Sequence, residues 1–267
     1  NWEDALYRAD NGLHVNWPRM YTYDWRSGQR TRSKHYDEQK RTLIKFFNEA
    51  KAYAEIKHPE TLDLRYEAMR QVFGGEKRLF IKADFVKELE DIVEFKKTYK
   101  FEHVSIVGGA DSYLVTENLR NNDISVVIRR VHSLPFYDED DVDLPYKLPK
   151  LLHDAGVKFC LQNAGDMEQM GTRNLPFYAG TAVTYGLPYE AAVASISSTA
   201  AEILGVDKKL GTLEEGKDAT LFVSEGDALD MKSNNLTVGM VQGRFISLTN
   251  HQDALYEKYK EKYGLKN

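Results

Sequence analysis

The feature that most constrains this chain is a repeated alternation between residues 78 and 205. Four short apolar runs, "RLFIKAD" (78–84), "HVSIVGG" (103–109), "ISVVIRRV" (124–131) and "VKFCLQN" (157–163), are each followed by a segment with helical periodicity. Val, Ile and Phe in near-continuous runs predict strands covered on both faces, as in a parallel sheet under helices. Strand then helix, joined by short turns, is the α/β pattern. An open doubly wound sheet carries a Gly-rich phosphate loop after its first strand, and "IVGGADS" is only a weak echo of one. Four units are also half of a (β/α)8 barrel.

The flanks differ from this middle. Residues 1–39 are aromatic, polar and aperiodic, and read as a long loop or insertion. "KRTLIKFFNEAKAYAEI" (40–56) places Leu43, Phe46, Phe47, Ala50, Tyr53 and Ala54 on one helical stripe. A second helix, "LRYEAMRQVF" (64–73), ends at Gly74-Gly75. After Gly205 the pattern turns β-rich, with turns expected at Glu215-Gly216 and Gln242-Gly243. No crossover helix joins these strands, so they form a separate small β unit. A charged helix (251–264) follows. The expected division is a loop at 1–39, an α/β portion at 40–205, small-domain strands at 206–250 and a terminal helix at 251–267.

Composition excludes several functions. The net charge is -5 and there is no basic stripe, so a nucleic-acid surface is not expected. The one cysteine, Cys160, excludes a disulfide within the chain and a cysteine-rich zinc site. It reads as a small buried hydrophobe. No stretch nears the roughly 18 apolar residues of a membrane span. The opening "NWEDALYRAD" has no initiator Met and no leader pattern, and reads as the continuation of a longer chain.

The tail carries a resemblance. "YGLPYEAAVASISSTAAEILGVDKKLGTLEEGKDATLFVSEGDALD" (185–230), then "VGMVQGRFISL" (238–248), resembles the C-terminal signature of the amidohydrolase superfamily, and within it the imidazolonepropionase-related branch. That resemblance implies the C-terminal portion of a (β/α)8 TIM-type barrel plus strands of a small β-sandwich domain. It implies hydrolysis of C–N bonds in an amide or cyclic amide by a metal-activated water. The family places a His-x-His pair on its first strand, which lies outside this chain. Zinc is therefore expected only if residues beyond this sequence supply that pair.

The matching positions depart from the family. Lys82 stands where strand five carries His, and an ammonium has no lone pair for a metal. Gly108 or Gly109 stands where strand six carries His, and His103 lies at the opposite strand end. Asp166 follows strand eight two positions late. The resemblance thus implies Asp166 as catalytic base and Lys82 as electrostatic stabiliser. Lys82, His132, Gln162, Asn163 and Arg173 are the expected substrate-binding residues, and no metal ligand is assigned.

Structural roles compete with these. Lys82 pairs with Asp84, His132 bonds backbone in a loop, Asp166 caps a helix, or Arg173 and Asn174 anchor a loop. The acidic run at 138–143 has no Gly-turn spacing for Ca²⁺ and reads as a solvated loop. Two functions stay open: a hydrolase with altered ligand positions, or an inactive binding or assembly protein. The expected partners are a small-molecule ligand and either a missing N-terminal portion or a second copy. The compartment is open, with the periplasm preferred to the cytoplasm.

Overall fold

The computed structural model describes residues 6–24, 26, 29–163 and 168–265. It begins with β1 (Gly12–Asn16), a hairpin of β2 (Tyr21–Tyr23) and β3 (Arg30–Arg32), and α1 (Tyr36–Glu55). Two short helices, α2 (Leu64–Glu67) and α3 (Arg70–Phe73), lead into β4 (Arg78–Ala83). Then come α4 (Val86–Tyr99), β5 (Val104–Gly108), α5 (Thr116–Asn121), β6 (Ile124–Ile128), α6 (Leu144–Asp154) and β7 (Phe159–Leu161). Helices α7 (Leu175–Thr184), α8 (Tyr189–Ser195) and α9 (Ser198–Leu204) follow. The chain continues through β8 (Leu221–Ser224), β9 (Leu236–Val241), β10 (Arg244–Phe245) and α10 (His251–Tyr263).

Five strands make one parallel sheet in the order β1-β4-β5-β6-β7. Each new strand adds to the same side, without the reversal of order that defines a doubly wound sheet. The α/β expectation with a parallel sheet therefore holds, with one strand more than the sequence pattern showed.

That extra strand corrects the reading of residues 1–39 as loop. β1 pairs with β4 from Gly12↔Arg78 to Asn16↔Lys82. Its start is tied to the end of α9: Asn11 Nδ2 donates to the Leu204 carbonyl at 2.8 Å and Arg8 donates to the Gly205 carbonyl at 3.1 Å. Beyond its end, the Trp17 amide donates to the Lys82 carbonyl at 3.1 Å. The Trp17 indole N–H donates to the Tyr36 hydroxyl, which donates to Asp91 Oδ2 at 2.7 Å. Strand pairing supplied by tertiary contacts overrides a weak local pattern. The predicted helix at 64–73 is interrupted at Ala68–Met69, and α8 and α9 are separated at Ile196–Ser197.

Side chains alternate across the sheet. One face carries Leu79, Ile81, Ile106, Ile124, Val126 and Ile128 into the main core, under α1, α4, α5 and α6. There Phe47 of α1 meets the edge of Phe95 at 4.8 Å, beside Phe73, Tyr99 and Phe101. By register and alternation, the other face carries His14, Asn16, Phe80, Lys82, Ser105, Val107, Ser125, Val127 and Cys160. Its apolar part is small: Phe80, Cys160 and Ile203 form a second cluster with Val107, Val127 and Ala200. Ser105 and Ser125 satisfy each other across the strands at 2.7 Å.

Cys160 is buried, as expected, and burial pushes its thiol up to about 12. The three-stranded antiparallel sheet is ordered β10-β9-β8. Both expected turns are present: Gln242 and Gly243 adopt φ of 49° and 74°, and Gly216 adopts 86°. α10 starts at an Asn250–Asp253 capping box. Among the described residues no helix is long and apolar enough to cross a membrane.

Candidate functional site

The C-terminal ends of the parallel strands bring polar groups together. Lys82 is exposed near the end of β4, on the small-cluster face, in one row with Asn16, Val107, Val127 and Cys160. One step further along the strands come Asp84, Arg129 and Gln162. Gln162 Nε2 donates to the Val127 carbonyl at 3.2 Å, which pins its amide at this rim.

Asp84 is the pivot. Its backbone amide donates to Glu88 Oε2 at 3.0 Å, and its carbonyl accepts from the Asp111 amide at 2.9 Å. Its Oδ1 is buried and accepts no hydrogen bond among the described residues. Burial pushes its carboxyl above the ordinary range, opposed first by Arg129, then by the Ala110 amide, Lys82 and Arg19. Lys82 therefore acts on Asp84 through space and after Arg129, and the direct Lys82–Asp84 ion pair does not form.

Gly108 and Gly109 make this packing possible. A Cβ at Gly108 would lie 2.5 Å from Asp84 Oδ1 and 2.8 Å from the Ala83 carbonyl oxygen. A Cβ at Gly109 would lie 2.7 Å from Val126 Cγ1. Both residues have positive φ, +117° and +66°, which side-chain-bearing residues rarely adopt.

Two further carboxylates brace the rim. Glu88 is buried at the start of α4 and accepts from the amides of Met20 at 2.6 Å, Asp84 and Phe85. Burial raises its pKa, and these amides oppose the rise. Asp111 accepts from the Val86 amide at 3.1 Å and the Tyr137 hydroxyl at 3.3 Å. Burial pushes it up to about 6. Asp111 lines a cleft with Gly108, Arg129, Phe136 and Leu148, between the strand ends, the loop after β6 and α6. Over this loop the Arg30 guanidinium lies 4.7 Å from the Phe136 ring centre and that of Arg129 lies 5.5 Å from it. Arg30 also donates to the Phe136 carbonyl, so the β2–β3 hairpin docks on the rim.

The sequence-derived candidates separate in space. Lys82 and Gln162 share the rim. Asn163 follows Gln162 and packs toward the 168–174 turn, its Nδ2 3.7 Å from the position of a Cβ on Gly171. Arg173 is exposed on that turn. His132 is tied to α7: Nε2 lies 2.7 Å from Thr181 Oγ1, and its ring meets the Tyr178 and Tyr146 rings at 4.7 and 5.8 Å. Burial, then Arg130, lowers its pKa, so the neutral imidazole is favoured. The expected backbone bond of His132 is replaced by this side-chain one. Asp166 lies outside the described residues.

Sequence reading missed Arg129, Asp111 and Arg30. Arg129 was legible as the residue two after Val127, in phase with the same face. Asp111 and Arg30 come from other elements and left no local signal.

The resemblance implied a divalent metal at this position. Lys82 offers no lone pair, and the Gly108–Gly109 backbone has no room for a donor side chain. Among the described residues no three His, Cys, Asp or Glu side chains converge on one point. The described residues do not by themselves fit a zinc ion.

Residues 27–246 match the model of the amidohydrolase family. The amidohydrolase tasK of Hapsidospora irregularis is 25% identical over 173 residues, which are 62% of this chain and 17% of that protein. Among solved structures, an amidohydrolase from Thermotoga maritima MSB8 superposes with a TM-score of 0.73 at 20% identity, over 92% of this chain and 64% of that one. A Xaa-Pro dipeptidase with methionine bound in its active site gives a TM-score of 0.55 at 15% identity, over 89% and 54%. These two likenesses concern the fold. The chain thus spans 17% of the curated relative and less than two thirds of either solved structure.

Proposed function

Because the chain belongs to the amidohydrolase family, we propose that it contributes the C-terminal part of a (β/α)8-type barrel hydrolase that cleaves a C–N bond in a small amide or cyclic amide. The reading extends to the imidazolonepropionase-related branch, on the strength of the 185–248 pattern. It also takes the β8–β10 sheet as part of a small β-sandwich whose other strands lie outside this sequence. The observation that carries it is the convergence of Lys82, Asp84, Arg129 and Gln162 on the C-terminal strand ends, where barrel enzymes build their sites.

In this reading Asp166 takes a proton from water as the water oxygen attacks the carbonyl carbon. The developing oxyanion is stabilised by the Lys82 ammonium. The C–N bond then breaks, and the proton passes to the leaving nitrogen. Gln162, Asn163 and Arg173 orient the substrate, and His132, fixed by Thr181, forms part of the wall. The described residues would hold no metal here; ligands from outside them would have to do so, and the metal would then supply a lowered water pKa and a polarised carbonyl.

A second reading, an inactive binding or assembly protein, is favoured by the packing of Asp84 against Gly108, which fills a position where the family carries a metal ligand. One experiment separates the two. The full-length protein is assayed for amine release from N-acyl amino acids and cyclic amides, with metal content measured in parallel. Turnover that falls at least about 100-fold in Asp166→Ala, with an unchanged melting temperature, supports the hydrolase. No turnover after zinc incubation, with ligand binding intact, supports the binding protein.

A further inference from the structure

Segment 133–140, between β6 and α6, is held at both ends and loosely in the middle. Before it, His132 Nε2 lies 2.7 Å from Thr181 Oγ1 of α7, and after it Leu144 opens α6. Its own amides turn inward: Asp140 donates to the Tyr137 carbonyl at 3.2 Å, and Tyr137 donates to Asp140 Oδ2 at 3.3 Å. Among the described residues, its hydrogen bonds to other elements are that of Arg30 to the Phe136 carbonyl and that of the Tyr137 hydroxyl to Asp111 Oδ2. The Phe136 and Tyr137 rings rest on Phe85, at 5.3 and 6.1 Å, and Leu134 beside them is exposed. A segment with few ties to the body is where local opening starts.

A buried carboxyl faces this segment. Asp111 is 4% exposed and lines the cleft that Ser133, Pro135 and Phe136 close from the other side. Its donors are the Val86 amide and the Tyr137 hydroxyl, and only the second belongs to the segment. Asp140 on the segment and Asp84 just after β4 act on it as like charges, and Tyr113 lies within reach of both Asp111 and Asp140. Arg129 and Arg130 line the same cleft. A carboxylate enclosed in this way is cut off from water, so its ionisation and the closed position of the segment oppose each other.

We propose that segment 133–140 is a lid over this cleft, latched by the Tyr137–Asp111 hydrogen bond, and that it opens as pH rises because opening returns the Asp111 carboxylate to water. The proposal goes beyond the hydrolase reading and does not depend on it. Burial pushes Asp111 up to about 6 in the closed chain, against an ordinary 3.8. Burial, then Asp111, holds the Tyr137 phenol above its usual range, so it remains a donor throughout. The closed form is therefore favoured most below about pH 4, loses ground as pH rises to about 6, and carries the full bias toward opening above that.

The test is hydrogen exchange of the Tyr137 and Asp140 amides in the full-length protein, corrected for the intrinsic effect of pH on exchange. At about pH 5 these amides are expected to be at least about 100-fold less protected than those of β5 and β6, which marks opening short of unfolding. Their protection should fall about tenfold between about pH 5 and about pH 8. Asp111→Asn keeps the shape and the acceptor oxygen but cannot ionise, and should abolish that fall. Tyr137→Phe loses only the latching hydroxyl, and should lower lid protection at least about threefold. Protected β5 and β6 amides in each variant show that it is folded. Lid amides as protected as those of the strands overturn the proposal, because the segment would then open only with the whole domain. So does protection that is flat with pH in the unchanged protein, a fall that survives Asp111→Asn, or a Tyr137→Phe lid as protected as the original.

Discussion

The two sheets of this molecule are built from similar residues and end in opposite states. In the five-stranded parallel sheet, Ile81, Ile106 and Val126 are fully buried under helices. In the three-stranded antiparallel sheet, Phe222, Val223, Val241 and Phe245 are exposed, Phe222 at 51%. Apolar side chains on a strand stabilise only when a second layer covers them. The parallel sheet has that layer on one face completely and on the other in part. The small sheet is covered only in part, where Ile246 and Leu248 close over Gly239, and its exposed apolar side chains suit a surface that another layer would cover.

The contrast can be broken from the buried side first. Phe47→Ala removes the ring around which five other aromatics gather, and should cost about 3–5 kcal/mol by urea unfolding. A loss below about 1 kcal/mol would mean that the helix layer is not what holds the parallel sheet.

The rim of the same sheet gives the next effect, through pH. Asp111 titrates at about 6 in the folded chain against an ordinary 3.8, because burial penalises its charged form. A raised folded pKa contributes stability that is complete below about pH 4 and is lost as pH rises through about 6. The loss attached to Asp111 is about 3 kcal/mol. Burial raises Asp84 and Glu88 in the same direction. Asp111→Asn should flatten the stability profile between about pH 4 and 7, read from urea midpoints. A profile unchanged by the substitution would remove Asp111 from the account.

Gly108→Ala should cost about 1–3 kcal/mol, because the added methyl meets Asp84 Oδ1 and the Ala83 carbonyl at a positive φ. In an Asp84→Ala background the cost should shrink without vanishing, since the carbonyl clash remains. Full additivity of the two changes in a double-mutant cycle would show that the carboxylate and the glycine do not pack. The smallest effect is expected in the small sheet, where Phe222→Ser should change stability by no more than about 0.5 kcal/mol.

Much of the fold was legible in local pattern. The four apolar runs became β4 to β7, the β-rich tail became an antiparallel sheet, and the charged terminal segment became a capped helix. β1 was not legible because "GLHVN" puts His14 and Asn16 on the open face and has only Leu13 and Val15 to offer the core. Five residues of that kind become a strand only when β4 supplies the pairing.

At the candidate site, that Lys82, Gly108 and Gly109 offer no metal donor followed from residue identity alone, since an ammonium and a hydrogen atom cannot ligate. What surrounds them did not follow. The approach of Asp84 to Gly108, the stacking of Arg30 on Phe136, and the tie of His132 to Thr181 join residues 24 to 106 positions apart. Residue chemistry and short-range periodicity are properties of the sequence itself. Strand register and the packing of one loop on another are set by which distant segments bury each other, and that was decided only in the folded chain.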